Sequence, residues 1–339
     1  MEYGTSSRGI RKKRFILLTP RILESTVRAK QEMPDVQDSK STPLRIAVSA
    51  RSLFDLETSH AVFETEGLES YTKFIRKNER KPLSPGPAFP LVKALLRANR
   101  TIRGEESLIE VIMASGVHPI MGNWIVNSIE HHDLDIPRSS FTSGGFILPY
   151  LQAFGVDMLL SKSMEDAQKA INVGMAAAVM YDTEMSDELL ADEGAIRIAL
   201  DGDSVIFSDE SERIYQEGGL EAFQRNETMN AHVPMNEGPF APILRKIARI
   251  QKVTAPDHRP FRIALVTARG GPSRTRVFNT LDAWGIEVDE AHFLSGFKKR
   301  QILAAFSPHL FLDDQHTHVG PAAELMPAGR VPYRTESAA

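Results

Sequence analysis

Short continuous apolar runs alternate with longer stretches of helical spacing along this chain. In its second half the runs are Ile198 to Leu200, Ile263 to Val266 and Leu310 to Leu312. Their continuity predicts strands covered on both faces, since a half-exposed strand alternates apolar and polar positions. Between them, 242–250 and 274–284 carry apolar residues at helical spacing, the second closing at Gly285. Strand alternating with helix predicts a parallel, doubly wound sheet. The Pro-, Gly- and Asn-rich stretch over about 207–254 is longer than a crossover needs and is expected to form a small cap.

The pattern occurs twice. Arg45-Ile46-Ala47-Val48 matches Arg197-Ile198-Ala199-Leu200 at an offset of 152, and Gly67-Leu68-Glu69 matches Gly219-Leu220-Glu221. Pro82, Gly86, Pro87 and Pro90 fall on Pro234, Gly238, Pro239 and Pro242; Ser143-Gly144 falls on Ser295-Gly296. One register held without a gap from residue 45 to about 162 argues for a duplicated unit. The expected organisation is a basic extension over 1–44, one α/β domain over 45–190 and a second over 191–330, two tandem doubly wound (Rossmann-like) domains. The extension is expected to be flexible: it carries nine Lys and Arg against five Asp and Glu with little periodicity, and Met33 offers an alternative start.

Composition removes several chemistries. The 339 residues are 42% hydrophobic and 25% charged, ordinary for a globular protein. A net charge of −4 gives no support to nucleic-acid binding through global positive charge. The absence of cysteine excludes disulfides, thiolate metal sites and cysteine nucleophiles. The run Phe15 to Leu18 is too short for a signal-peptide core or a membrane span, so a soluble cytoplasmic protein is expected.

Ligands of doubly wound sheets lie beyond the carboxyl ends of the strands. In the second half those ends read Asp201-Gly202-Asp203-Ser204, Thr267-Ala268-Arg269-Gly270-Gly271 and Asp313-Asp314, with Lys298-Lys299 opening a helix after Gly296. Clustered carboxylates raise one another's pKa and require a counter-charge, which a divalent cation and an ammonium supply. Oxygen ligands favour hard Mg²⁺, and such an arrangement suits phosphoryl transfer. His309, His316 and His318 suggest zinc as a lesser alternative.

These residues resemble the four motifs of the haloacid dehalogenase-like phosphatases. More closely, "ALDGDSVIFSDESE", "LVTARGG", "LFLDDQHTHV" and "GGFILPYLQAFGVDMLLSKSMEDA" resemble the cytosolic 5′-nucleotidase type I family over residues 45 to about 322. The resemblance implies Asp201 as nucleophile, Asp203 as general acid and base, Thr267 as a phosphate ligand, and Lys299, rather than Lys298, as the bridging cation. It implies Asp201, Asp313, Asp314 and the Asp203 main-chain carbonyl around Mg²⁺. It also implies a nucleoside 5′-monophosphate substrate such as AMP, with Phe207, Ser208, Asp209, Asn236, Ala268 and Arg269 as candidate substrate contacts. A phosphatase of another small ester and a nucleotide sensor of low turnover are the competing readings, and a homo-oligomer is left open.

The first half is an internal comparison. Through the offset, Asp201 becomes Ser49, Asp203 becomes Arg51, Thr267 becomes Ser115, Lys299 becomes Ile147, and Asp313-Asp314 become Ser161-Lys162. No acidic side chain remains, so this half cannot hold Mg²⁺ in the same manner. It is expected to be structural, or else to offer Arg51 and Lys162 to an anion and help form the nucleoside end of the pocket.

Overall fold

A computed structural model describes Met1 and residues 42–101, 107–254 and 259–335; nearly all of the expected basic extension lies outside them. From Thr42 onward the chain forms one compact unit. Among the described residues ten strands occur: β1 (Leu44–Val48), β2 (Ile109–Ser115), β3 (Arg138–Phe141), β4 (Met158–Ser161), β5 (Ala176–Met180), β6 (Ile196–Leu200), β7 (Phe261–Thr267), β8 (Glu290–Phe293), β9 (Leu310–Asp313) and β10 (Ala328–Arg330). They build a single sheet in the order β3-β2-β1-β4-β5-β10-β9-β6-β7-β8. Neighbouring strands run parallel except β5 and β10, which pair antiparallel through Met180 with Gly329 and Val179 with Arg330.

The expected mixed α/β architecture is present, but the two halves share one sheet instead of forming two. Strands β1 to β4 each begin 152 residues before β6 to β9, and β5 begins 152 before β10. The antiparallel seam turns the second five strands against the first. The carboxyl ends of the two sets therefore face opposite edges of the sheet, and the first half's strand ends do not meet those of the second.

Ten principal helices follow the same repetition: α1 (Glu57–Asn78), α2 (Phe89–Thr101), α3 (Gly122–His131), α4 (Leu148–Ala153), α5 (Met164–Asn172), α6 (Glu210–Met229), α7 (Ala241–Val253), α8 (Ser273–Ala283), α9 (Lys299–Phe306) and α10 (His316–Ala323). Helix α2 packs on β6, and α7 packs on β1, so each half covers the other's central strand. Leu95, Ile198, Leu200, Ile46, Leu244 and Ile247 line this shared space and are buried. Separating the halves would expose a continuous apolar layer, which is why they behave as one body.

This packing narrows the expected cap over 207–254. Helix α7 begins with Pro242 near its first position and buries Ile243, Leu244, Ile247 and Ile250 along one face, so it belongs to the core. The segment outside the sheet layers is α6, broken at Gly219 (φ +69°), with the loop that follows it. That loop is pinned to the chain after β6. Phe207 bridges Glu237, and the Gly238 N–H donates to the Ile206 carbonyl at 2.8 Å. Among the described residues, no helix is long and apolar enough to cross a membrane.

A Cβ at Gly238 would stand 2.4 Å from the Phe207 carbonyl oxygen and 2.5 Å from that of Val205. Gly238→Ala is therefore expected to destabilise the protein by about 1–3 kcal/mol, measured as a lower midpoint in urea unfolding with an unchanged slope.

Candidate active site

The second half reverses its strand order at β6: the chain passes to β7 and β8 on one side and returns to β9 on the other. Such a reversal opens a crevice above the central strand. Asp201 follows β6, Thr267 ends β7, and Asp313 ends β9, with Asp314 immediately after it. All four are buried. Main-chain pairing fixes their approach, since the Asp201 N–H donates to the Leu312 carbonyl at 2.9 Å.

Lys299 lies at the first turn of α9 and reaches into this crevice. Its Nζ donates to Asp201 Oδ1 and to Asp313 Oδ2, both at 2.6 Å. It is 3% exposed, whereas neighbouring Lys298 is exposed, so geometry selects Lys299 from the pair. Burial would lower the Lys299 pKa, but the Asp201 and Asp313 charges outweigh it and hold the ammonium protonated.

One ammonium does not neutralise three acids. Burial, with the charges of Asp313 and Asp203, pushes Asp201 up to about 7 against the pull of Lys299. Burial and the Asp201 charge push Asp314 up to about 8. Asp313 moves down, because Lys299 and His318 together outweigh its burial. Carboxylate oxygens of Asp201, Asp313 and Asp314 lie within 4.8 Å of one another. Asp314 Oδ1 is buried without a hydrogen-bond partner, while the Tyr333 hydroxyl donates to Oδ2. An orphaned carboxylate oxygen within an all-oxygen donor set fits a hard divalent cation.

The other expected residues divide. Thr267 is buried beside the cluster, its Oγ1 accepting from the Arg269 N–H at 3.1 Å, and Ala268 is exposed next to it. The Asp203 carboxylate lies outside the metal triad, held by the Arg269 guanidinium, Nη2 to Oδ1 at 2.6 Å and Nε to Oδ2 at 2.8 Å. Arg269 is itself 4% exposed, so it is a partner of Asp203 and not an open substrate contact. Phe207 is fully buried, its ring 5.8 Å from that of Trp284, and belongs to the core. Ser208, Asp209 and Asn236 bind the foot of α6. The Ser208 N–H donates to the Asn236 carbonyl, Asp209 pairs with Arg213, and Asn236 Nδ2 donates to Glu210. These placements share one cause. Nearness in sequence to the nucleophile does not say which way a side chain turns once the loop closes on the cap.

The three histidines do not converge. His309 is buried and accepts from the Arg197 N–H, His316 bonds to the Tyr181 hydroxyl, and His318 Nδ1 lies 3.2 Å from both Asp313 oxygens. Sequence reasoning missed Tyr333, Glu227 and Arg276, which carry no motif and enter through the fold alone. In the first half, Arg51 is bound by Glu57, and Lys162 by Glu57 and Asp182. Burial raises the Glu57 pKa, yet these two cations together bring it below the usual range. The expected bare positive site is thus already internally paired.

The raised carboxyls make stability depend on pH. Folded Asp201 and Asp314 retain protons that unfolded carboxyls, with an ordinary pKa of 3.8, have released, so stability falls as pH rises through about 7 and 8. Buried His309, pushed down to about 4, acts in the opposite direction but only below its ordinary 6.5. In chelator, Tm is therefore expected to fall between about pH 6.5 and 8. Saturating Mg²⁺ should raise Tm by an increment that widens over the same interval, because the ion binds ionised carboxylates. Calorimetry at fixed ionic strength measures both; an increment independent of pH would contradict the assignment.

A protein-family model described as 5′-nucleotidase matches residues 36–338. Human cytosolic 5′-nucleotidase 1B is 37% identical over 291 residues, an alignment covering 83% of this chain and 47% of that protein. The chain thus spans about half the length of this curated relative. The solved "Structure of Pnkp1/Rnl/Hen1 complex" covers 88% of this chain and 100% of its own at 12% identity, with a TM-score of 0.29, too slight a likeness to bear on the fold. With the family model spanning nearly the whole sequence and the human relative aligned along most of it, the chain belongs to the 5′-nucleotidase family, the cytosolic type I group that its motifs resemble.

Proposed function

We propose that this protein is a Mg²⁺-dependent phosphoric monoester hydrolase that converts nucleoside 5′-monophosphates, AMP-like substrates among them, to nucleoside and phosphate in the cytoplasm. The observation that carries the reading is the buried Lys299 ammonium bridging Asp201 and Asp313 beside an unpartnered Asp314 oxygen. Family membership and the human relative's name support a nucleotide substrate.

In this reading Asp201 uses a carboxylate oxygen to attack phosphorus, and the P–O5′ bond breaks as the aspartyl-phosphate bond forms. Asp203 donates its proton to the departing ribose oxygen, then accepts one from the water that cleaves the acyl phosphate. Thr267 Oγ1 and the N–H of Ala268 hold phosphoryl oxygens, a use of donors at a strand end comparable with anion binding at helix starts. Lys299 neutralises charge on the nucleophile and on the incoming ester, and in a buried site this interaction is stronger than in water. Asp201, Asp313, Asp314 and the Asp203 main-chain carbonyl would hold Mg²⁺, which when bound supplies positive charge against the phosphoryl oxygens.

The same reading treats residues 45–190 and 191–330 as duplicated haloacid dehalogenase-like domains, the first without catalytic chemistry. The common offset of their strands and the loss of every acidic site residue in the first support it.

Asp201→Asn is expected to reduce phosphate release from AMP to background while leaving the circular-dichroism spectrum unchanged. Wild-type protein quenched in acid during turnover should carry labelled phosphate on Asp201. Full activity of the variant would remove Asp201 as nucleophile, and release from sugar phosphates but not from nucleotides would redirect the substrate class.

A further inference from the structure

The acids of the crevice are not all held in the same way. Lys299 fixes Asp201 and Asp313, and the Gln315 N–H donates to Asp313 Oδ1 at 2.9 Å. Lys299 makes no ion pair with Asp314. The side-chain donor to that residue is the Tyr333 hydroxyl, which engages Oδ2. An aspartate carboxyl turns broadly about its terminal torsion, so nothing intrinsic to the side chain fixes its plane. The bond to Tyr333 supplies that constraint and leaves Oδ1, buried and unpartnered, as the free oxygen.

Tyr333 lies beyond β10 and is itself held from two directions. On the sheet side the Val331 N–H donates to the Asp313 carbonyl at 2.9 Å, and both Val331 and Pro332 are buried. On the other side stands helix α5 of the first half. Gln168 Nε2 donates to the Tyr333 carbonyl at 2.7 Å, Asn172 Nδ2 donates to Thr335 Oγ1 at 2.9 Å, and the Thr335 N–H donates to Asn172 Oδ1 at 3.1 Å. The antiparallel seam makes this meeting possible. Because β5 runs against β10, the end of α5 that leads into β5 lies at the edge where β9 and β10 finish. At the 152-residue offset Tyr181 occupies the place of Tyr333, but its hydroxyl bonds to His316 at 2.8 Å. Lys162, in the place of Asp314, is taken by Glu57 and Asp182. The repeat supplies the tyrosine twice, and only in the second half does its hydroxyl meet a strand-end acid.

We propose that Tyr333 is a positioning residue for the metal ligand Asp314, and that helix α5 of the first half holds it there, so that the half without catalytic chemistry helps set the affinity of the metal site. This rests on the Mg²⁺-dependent reading above. With residues 331–335 docked on α5, the Asp314 carboxyl is presented with Oδ2 occupied and Oδ1 free. With them undocked, the carboxyl turns among its rotamers, and ion binding must then bear the cost of fixing it. Outer partners of metal ligands act in this way, and their loss typically lowers metal affinity about 10–100-fold.

The test titrates Mg²⁺ calorimetrically into the nucleotide-free full chain at fixed pH. Tyr333→Phe keeps an exposed ring and removes only the hydroxyl, so the fold is retained. Its Kd for Mg²⁺ should rise about 10–100-fold. The double variant Gln168→Ala, Asn172→Ala, which alters no residue touching the acids, should raise Kd several-fold, with kcat at saturating Mg²⁺ equal to that of wild type. An unchanged Kd in Tyr333→Phe, even alongside a lower Tm in chelator, would leave the tyrosine a structural role only and overturn the proposal. An unchanged Kd in the double variant alone would overturn the part assigned to the first half. Wild-type protein that binds no Mg²⁺ would instead overturn the metal site itself, and the proposal with it.

Discussion

A single buried ammonium determines what the crevice above β6 can be. Lys299 meets Asp201 and Asp313 at 2.6 Å each, and without it two carboxylates from adjacent strands would face one another out of contact with water. Breaking a buried pair by removing one partner costs about 3–5 kcal/mol, because the remaining charge has nowhere to be solvated. The arrangement is still under-neutralised, with Asp201 and Asp314 pushed to about 7 and 8. Further positive charge would relieve these carboxyls, and the unpartnered oxygen of Asp314 lies in the same cluster.

The remaining structure can be understood as the means of holding this cluster still. Central β6 is flanked by β7 and β9, which set the separation of Asp201, Thr267 and Asp313 through main-chain pairing. That sheet gains rigidity from the other half, whose helix α2 lies on β6 while α7 lies on β1. The first half is thus part of the second half's core even though its own strand ends open at the opposite edge. Where the second half places acids, the first places serines, an arginine and a lysine, and these cations are satisfied by Glu57 and Asp182. Its contribution visible here is packing.

Much of this was legible in the order of residues. Runs such as Leu310 to Leu312 are continuous because both faces of the strand are covered, and the acids that follow them lie at carboxyl ends by construction. The two outermost strands of the sheet and the two at its central seam were not legible. Arg138–Phe141 and Glu290–Phe293 are polar and half exposed, Ala176–Met180 opens on three alanines that favour helix, and Ala328–Arg330 is three residues long. The helical spacing over 242–250 was legible, but that this helix lies in the core and not in the expected cap depends on its packing against β1.

The division between the two sources of information follows from range. Local order along the chain determined the strand ends, the candidate acids, the lysine and the repetition at a fixed offset, because these depend on residue type and spacing within one element. Tertiary structure alone decided that the halves join through an antiparallel seam, that Phe207 turns inward, that Arg269 pairs with Asp203 and Glu227, and that the Tyr333 hydroxyl meets Asp314. Each of those depends on contacts between segments far apart in sequence, where burial and charge pairing, not neighbouring residue types, choose the direction of a side chain.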